Sequence, residues 1–290
     1  MTGSLRRVGV IVLSMGRRPE GLQRALESVL LQEGVSCDIV VVGNGWVPTG
    51  LPEGVGAVAL PTNVGIPAGR NAGIDAVEGD ILLFLDDDAV LADSHVLKRA
   101  VALLDADPRM GLIQPRVVDP TGLPSPRRWV PRLRVGDPER SSPAMALWEG
   151  ATIVRRRALE AAGGWASDFF YAHEGIDLAW RVWDADYAAW YAGDLVVHHE
   201  ANDPKRFPEH ARLNARNRVW IARRNLPLPL EPIYVGSWIL ITLARERDRQ
   251  QLRAWFEGLL EGIRDRPTGR RPMSWRTIGR MSRAGRPPVV

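Results

Sequence analysis

Apolar residues in the first hundred positions of this chain follow two alternating periods. Val8–Leu13 is an unbroken apolar run of strand length, and Asp38–Val42 and Ala57–Leu60 are shorter ones. Between them, Pro19–Gln32 carries Leu22, Ala25, Leu26, Val29 and Leu30 at helical spacing. Ser94–Asp105 predicts another helix, capped by Asp93 or Ser94. Asn63–Ala76 opens as a glycine-rich turn and continues as a helix, and Ile81–Leu85 is a fourth strand without a polar residue. A strand apolar on both faces is covered on both faces, as in the centre of a parallel sheet. The alternation predicts an α/β fold, a Rossmann-like, mostly parallel sheet flanked by helices.

After residue 115 the pattern changes. Residues 115–143 are rich in proline and arginine between weak apolar pieces, and read as an irregular excursion over the sheet edge. A strand resumes at Ala151–Val154, followed by a short helix, Arg155–Ala162, stopped by Gly163-Gly164. Glu174–Trp183 reads as a helix, Asp186–Trp190 and Asp194–Val197 as short strands, and Phe207–Arg224 as a long arginine-rich helix. The boundary expected near 225 separates a main domain, 1–225, from a helical C-terminal extension, 226–290. Within that extension, Ile233–Ala244 falls short of the roughly 20 apolar residues of a membrane-spanning helix. Core or subunit packing is expected of it, with an interfacial position as the alternative.

The 290 residues suffice for one large core, and 45% of them are hydrophobic. The net charge is only +4, but residues 262–290 hold eight arginines against one acid, Asp265. That tail suits either contact with an anionic membrane surface or a solvated, partly disordered end. No nucleic-acid recognition motif accompanies it, so no nucleic-acid partner is expected. Cys37 is the single cysteine, which rules out an intrachain disulfide and fits a reducing, cytoplasmic setting. The apolar run at Val8 leads directly into a turn and reads as a strand, not as a signal peptide.

Chemistry concentrates where the fourth strand ends, in Asp86-Asp87-Asp88. Open α/β sheets bind ligands beyond the carboxyl ends of their strands. If the pleat continues, Asp86 and Asp88 face one way and Asp87 the other. Two like-facing carboxylates suit a hard divalent cation that carries phosphate oxygens; the alternative is a solvated strand end. Gly65 and Gly69 permit a tight turn that would place Arg70 and Asn71 at a helix start, facing an anion. The spacing is neither a dinucleotide fingerprint nor a phosphate loop. Glu174 and Asp177, three apart, share a helix face as candidate general bases, or else serve the helix dipole. Either His198 or His199 can complete a metal shell, but a closed zinc site lacks the thiolates.

In order along residues 8–225, these pieces resemble the family 2 glycosyltransferases of the GT-A fold, in particular a rhamnosyltransferase-like branch. The resemblance implies a nucleoside diphosphate sugar donor, such as a dTDP-rhamnose-type deoxysugar, and Mg2+ or Mn2+. It implies an inverting transfer to a carbohydrate, lipid-linked or small-molecule acceptor. Asp86 and Asp87 would contact the donor with Asn44, Asn63, Gly69, Arg70 and Asn71, while Asp88 and His198, with His199 as rival, would hold the metal. Gly163–Asp168 resembles the run that precedes the family's acidic helix. Two departures stand out: Gly43 leaves only Asn44 to read the base, and Gly175 occupies the place of the catalytic acid in Glu-Asp-x-Asp-Leu. Glu174 is the expected replacement base, with Asp177 next. Arg70 or Arg17 would add charge near the diphosphate, and Trp129 and Arg132 would line the acceptor side. The resemblance also admits a homo-oligomer and peripheral membrane contact. The alternatives are a non-catalytic nucleotide-sugar-binding protein of the same fold and a nucleotidyltransferase.

Overall fold

Five consecutive apolar residues ending in an acid define the central strand, and the rest of the chain is arranged on its two faces. The computed structural model describes residues 5–201, 207 and 209–289. In the first half the order is β1 (Arg6–Ser14), α1 (Pro19–Leu30), β2 (Val35–Asn44), β3 (Val55–Leu60), α2 (Ile66–Ala72), β4 (Ile81–Asp86), β5 (Val90–Leu91) and α3 (Val96–Ala106). Then come β6 (Met110–Val118), β7 (Ser142–Pro143), β8 (Ala151–Arg155), α4 (Arg156–Ala162), α5 (Glu174–Asp184) and β9 (Ala188–His198). The C-terminal part is helical: α6 (His210–Asn225), α7 (Glu231–Arg245), α8 (Arg249–Arg264) and α9 (Trp275–Arg283). The predicted long helix thus begins at His210, and part of its expected first turn lies outside the described residues.

The strands run β3-β2-β1-β4-β8-β6-β9-β5, with β7 beside β9. From β3 to β4 the pairing is parallel, as the strand–helix alternation predicts. Beyond β4 the sheet is mixed, because β8 runs antiparallel to both β4 and β6. Strand β6 is a correction to the sequence reading, which began an irregular excursion at Pro115. The proline sits inside β6 at a register shift against β9, where a missing N–H is tolerated. The two short strands expected at 186–197 are one continuous strand, β9.

Alternate residues of the central strands feed two cores. Val10, Val12, Ile81, Leu83 and Leu85 meet Leu22 and Leu26 of α1 and Leu97 and Val101 of α3. On the other face, Ile11, Leu82 and Phe84 meet Leu159 of α4, Leu178 and Val182 of α5, and Ile221 of α6. Each fully buried side chain of this size contributes about 1.5–3 kcal/mol. Phe84 also meets Trp165 edge-on at 5.2 Å, which ties the segment before α5 to the end of β4.

The C-terminal helices pack on α5 and α6. Gly258 and Gly262 let α8 approach α6 closely, since a Cβ at 258 would stand 1.9 Å from the Arg212 carbonyl oxygen. The basic tail is neither disordered nor fully solvated. Met273 and Met281 are buried, and Arg280 pairs with Asp186 at 2.7 Å. Helix α7 packs on the core by one face, through buried Tyr234 and half-buried Val235, Trp238 and Ile239, while Ile233, Leu240 and Leu243 stand exposed. No helix among the described residues is long and apolar enough to cross a membrane.

Asp177 belongs to this framework rather than to the reaction, which corrects its candidacy as a base. Its carboxylate is fully buried and accepts from Arg224 Nε at 2.9 Å and Asn225 Nδ2 at 2.7 Å, with Arg181 Nε at 3.2 Å. It therefore locks α5 to α6 and has no open side. Asp177→Ala leaves two guanidinium groups without their buried partner and should destabilise the fold by about 3–5 kcal/mol. A lowered urea midpoint at constant slope checks this; an unchanged midpoint would place Asp177 outside the framework.

Candidate active site

Strand β4 stops at Asp86, so the pleat does not carry the three carboxylates onward; a turn closed by Ala89 N–H to the Asp86 carbonyl fans them apart. Asp86 Oδ1 accepts from Arg70 Nη2 at 2.9 Å. Asp87 turns back to β1, where the Ser14 hydroxyl donates to it at 2.7 Å, and Arg18 lies 3.3 Å away. Its expected donor contact is corrected, since Asp87 braces the turn. Burial pushes its carboxyl up to about 6, helped by Asp88 and Asp86 and opposed by the Ser14 hydrogen bond and Arg18. Asp88 pairs with Arg18 and with His199, whose Nε2 is 3.2 Å from Oδ1.

The histidine beside Asp88 is thus His199, a correction to the preference for His198. Val90 pairs with His198 across β5 and β9, so His198 is held in the sheet and the next residue turns toward the Asp88 side. The rings of Trp148 and Trp129 flank His199, with centroids at 4.9 and 5.8 Å. Burial lowers the basicity of His199, but the hydrogen bond and charge of Asp88 outweigh it and leave its pKa raised. Trp129 is buried, and Arg132 donates to the carbonyls of Val135 and Asp137. Trp129 thus packs beside His199, and Arg132 fixes the backbone of the excursion while lining its cavity. Arg18 is the cation beside Asp87 and Asp88, and Arg70 the one beside Asp86.

Several expected donor contacts prove to be internal. Asn44 is buried; its amide donates to Asn63 Oδ1 at 2.9 Å and its oxygen accepts from Val64 N–H at 2.8 Å. It shapes the loop after β3, and Asn63 is the exposed amide at that rim. Gly69 allows α2 to touch β1, because a Cβ there would meet Leu13 Cδ1 at 2.5 Å. Asn71 bridges Trp165, donating to its carbonyl at 2.8 Å and accepting from its N–H at 3.0 Å. Arg70 is 1% exposed and lies over the Trp165 ring at 4.7 Å. It is held inside the fold and pairs with Asp86.

The other side of the site is the entry to α5. Phe170, Ala172 and His173 all adopt positive φ, near 62–70°, a conformation that costs non-glycine residues of order 1 kcal/mol each. Buried Asn217 on α6 holds this run through the carbonyls of Phe169, Tyr171 and Ala172 at 2.7–3.0 Å. Glu174 then opens the helix with its side chain only 2% exposed and Oε1 3.9 Å from Arg70 Nη1. Glu149, from the segment leading into β8, reaches the same place: its Oε1 accepts from Gly175 N–H at 3.0 Å. Burial raises both carboxyl groups, Glu149 further through the Glu174 charge, while Arg70 opposes the rise in each. No spacing pattern marks Glu149 or Asn217 in the sequence, because each reaches the site from a distant segment. A separate cavity of about 450 Å3, lined in part by Arg132, Arg134, Arg140 and Arg286, contains none of these residues.

The family model described as glycosyl transferase family 2 matches residues 10–163. The protein named uncharacterized glycosyltransferase YwdF, from Bacillus subtilis, is 30% identical over 107 residues, which cover 35% of this chain and 40% of that relative. Among solved structures, S. aureus TarS (residues 1–349) superposes with a TM-score of 0.60 at 15% identity, covering 89% of this chain and 80% of that one. TarS is also solved in complex with UDP-GlcNAc. The mannosyltransferase PcManGT of Pyrobaculum calidifontis, solved with GDP-Man and Mn2+, gives 0.59 at 18% identity, covering 99% and 78%. At such identities the likeness speaks for the GT-A fold alone, whereas the family match spans β1 to α4 and the Asp86–Asp88 turn and ends before α5. The chain belongs to glycosyl transferase family 2.

Proposed function

We propose that this glycosyltransferase moves a sugar from a nucleoside diphosphate sugar to a hydroxyl acceptor, with inversion at the anomeric carbon and with Mg2+ or Mn2+ at Asp88. The observation that carries this reading is the convergence of Asp86, Asp88, Arg18 and His199 at the carboxyl end of β4, where open α/β sheets bind ligands. The donors named with TarS and PcManGT, UDP-GlcNAc and GDP-Man, support the nucleotide-sugar class.

No group of three metal-ligating side chains occurs among the described residues. Asp88 and His199 nevertheless present an oxygen and a nitrogen 3.2 Å apart. Two protein donors fit a cation whose other positions are filled by diphosphate oxygens and water. When bound, such a cation neutralises charge on the leaving diphosphate. Arg18 adds a guanidinium on the same side. The exposed Asn63 amide suits contact with the base, and Asp86, held by Arg70, suits contact with the sugar side of the donor.

A carboxylate of the Glu149–Glu174 pair accepts the proton of the acceptor hydroxyl as its oxygen attacks the anomeric carbon. The bond from that carbon to the diphosphate breaks in the same displacement. Asn217 fixes the entry to α5, and so the distance from this pair to the donor. The arginines of the separate cavity favour an acceptor that carries phosphate, as a lipid-linked carbohydrate does.

Titration calorimetry with nucleoside diphosphate and Mn2+ should show binding weakened about tenfold or more in Asp88→Ala and in His199→Ala, and little changed in His198→Ala. Equal affinity in all three, or affinity indifferent to chelation, removes the metal from this site. Asn217→Ala should lower kcat about tenfold while nucleotide affinity stays near wild type, because it loosens only the entry to α5. A normal kcat would show that the strained run holds without it.

A further inference from the structure

We propose that Glu149 is the general base of the transfer, a carboxylate supplied from the β8 side of the sheet in place of the acid missing at position 175. The inference rests on the transferase reading and names the group that reading leaves open.

Three observations converge on Glu149. It is anchored beside the donor carboxylate, since the next residue, Gly150, accepts from Asp86 N–H at 2.9 Å, and a Cβ on Gly150 would stand 2.9 Å from Asp86 Oδ2. It also fills the volume of an absent side chain. A Cβ at Gly175 would lie 2.6 Å from Glu149 Cγ and 2.7 Å from its Oε1. The carboxyl group therefore sits where an acidic residue at 175 would begin. Finally, Glu149 is the less enclosed member of the pair: the residue is half-buried, while Glu174 is 2% exposed and its Oε2 has no partner. Glu174 is enclosed with the Arg70 guanidinium and is a positioning residue.

The proton balance is simple. A lone pair of the acceptor oxygen forms the bond to the anomeric carbon, and Glu149 takes the hydroxyl proton. The electron pair of the broken glycosidic bond departs on the diphosphate. Glu149, now protonated, returns the proton to solvent after the products leave. Burial and the neighbouring Glu174 charge raise its basicity above that of a surface carboxylate, toward the range in which proton transfer is efficient near neutral pH.

The competing explanation is that Glu149 merely accepts the Gly175 N–H. Glu149→Gln separates the two, because the amide oxygen keeps that hydrogen bond and the nitrogen cannot take a proton. The test compares wild type, Glu149→Gln, Glu149→Ala, Gly175→Ala and the double variant Glu149→Ala/Gly175→Asp. It reads nucleoside diphosphate release over a panel of nucleotide sugars and hydroxyl acceptors including water, alongside nucleotide affinity and melting temperature. Glu149→Gln should transfer about 10²–10⁴-fold more slowly with affinity and melting temperature retained. Gly175→Ala, which displaces the Glu149 side chain, should slow transfer on its own. The double variant should recover about tenfold or more over Glu149→Ala. Transfer by Glu149→Gln within about threefold of wild type overturns the assignment and leaves the transferase reading standing. A wild type that binds and turns over no nucleotide sugar overturns both.

Discussion

The buried guanidinium of Arg70 is the constraint on which the site depends. It donates to Asp86 at the end of β4, lies near Glu174 at the start of α5, and rests over Trp165 between α4 and α5. Three separate segments are thereby set around one cation that has almost no contact with water. A charge in such a place costs several kcal/mol unless it is paired, so the carboxylates that would touch the donor and those that would touch the acceptor are held together by one electrostatic requirement. Its Nη1 lacks a hydrogen-bond partner, which leaves positive potential directed at the glutamate pair. Asp177, Arg181 and Arg224 repeat the theme one turn along α5, there for anchoring alone.

Two halves of different character meet at this centre. The half proposed for the donor is built from strand ends and the turns that follow them, and its carboxylates are spread by a turn instead of aligned by a pleat. The half proposed for the acceptor is built from a strained run, Phe170–His173, that persists because α6 holds its carbonyls. A rigid parallel sheet beneath the first and a long buried helix beneath the second keep them in register. The aromatic bracket of Trp129 and Trp148 performs the same service for His199.

The fold was legible because its signals are local. The apolar run of β4, the helical stripe of α1 and the glycine stop after α4 each speak for themselves within a dozen residues. Strand β6 was hidden because Pro115 argues against a strand, and only the bulge against β9 reconciles it. In the candidate site, local reasoning pointed to the carboxylate cluster, the entry to α5 and the histidine pair, but not to which atoms face one another. The pleat argument for Asp86 and Asp88 failed where the strand ended, and strand pairing selected His199 over its neighbour. Asn44, Arg70 and Asn71 are polar residues at the correct end of the sheet whose hydrogen bonds are used internally. Gly175 drew attention to a missing acid, yet the carboxylate that fills its volume comes from 26 positions earlier in the chain, at Glu149. Contacts of that range leave no trace in periodicity.

The proposed function requires nucleotide, cation and reactive carboxylate to meet at the carboxyl end of β4. The most direct measurement is a crystal structure with Mn2+ and a nucleotide sugar, read by the anomalous signal of manganese. The account predicts a manganese peak at coordination distance from Asp88 and His199, diphosphate oxygens on that ion, and Glu149 facing the anomeric carbon. A nucleotide seated in the arginine-lined cavity, with no manganese beside Asp88, would contradict it.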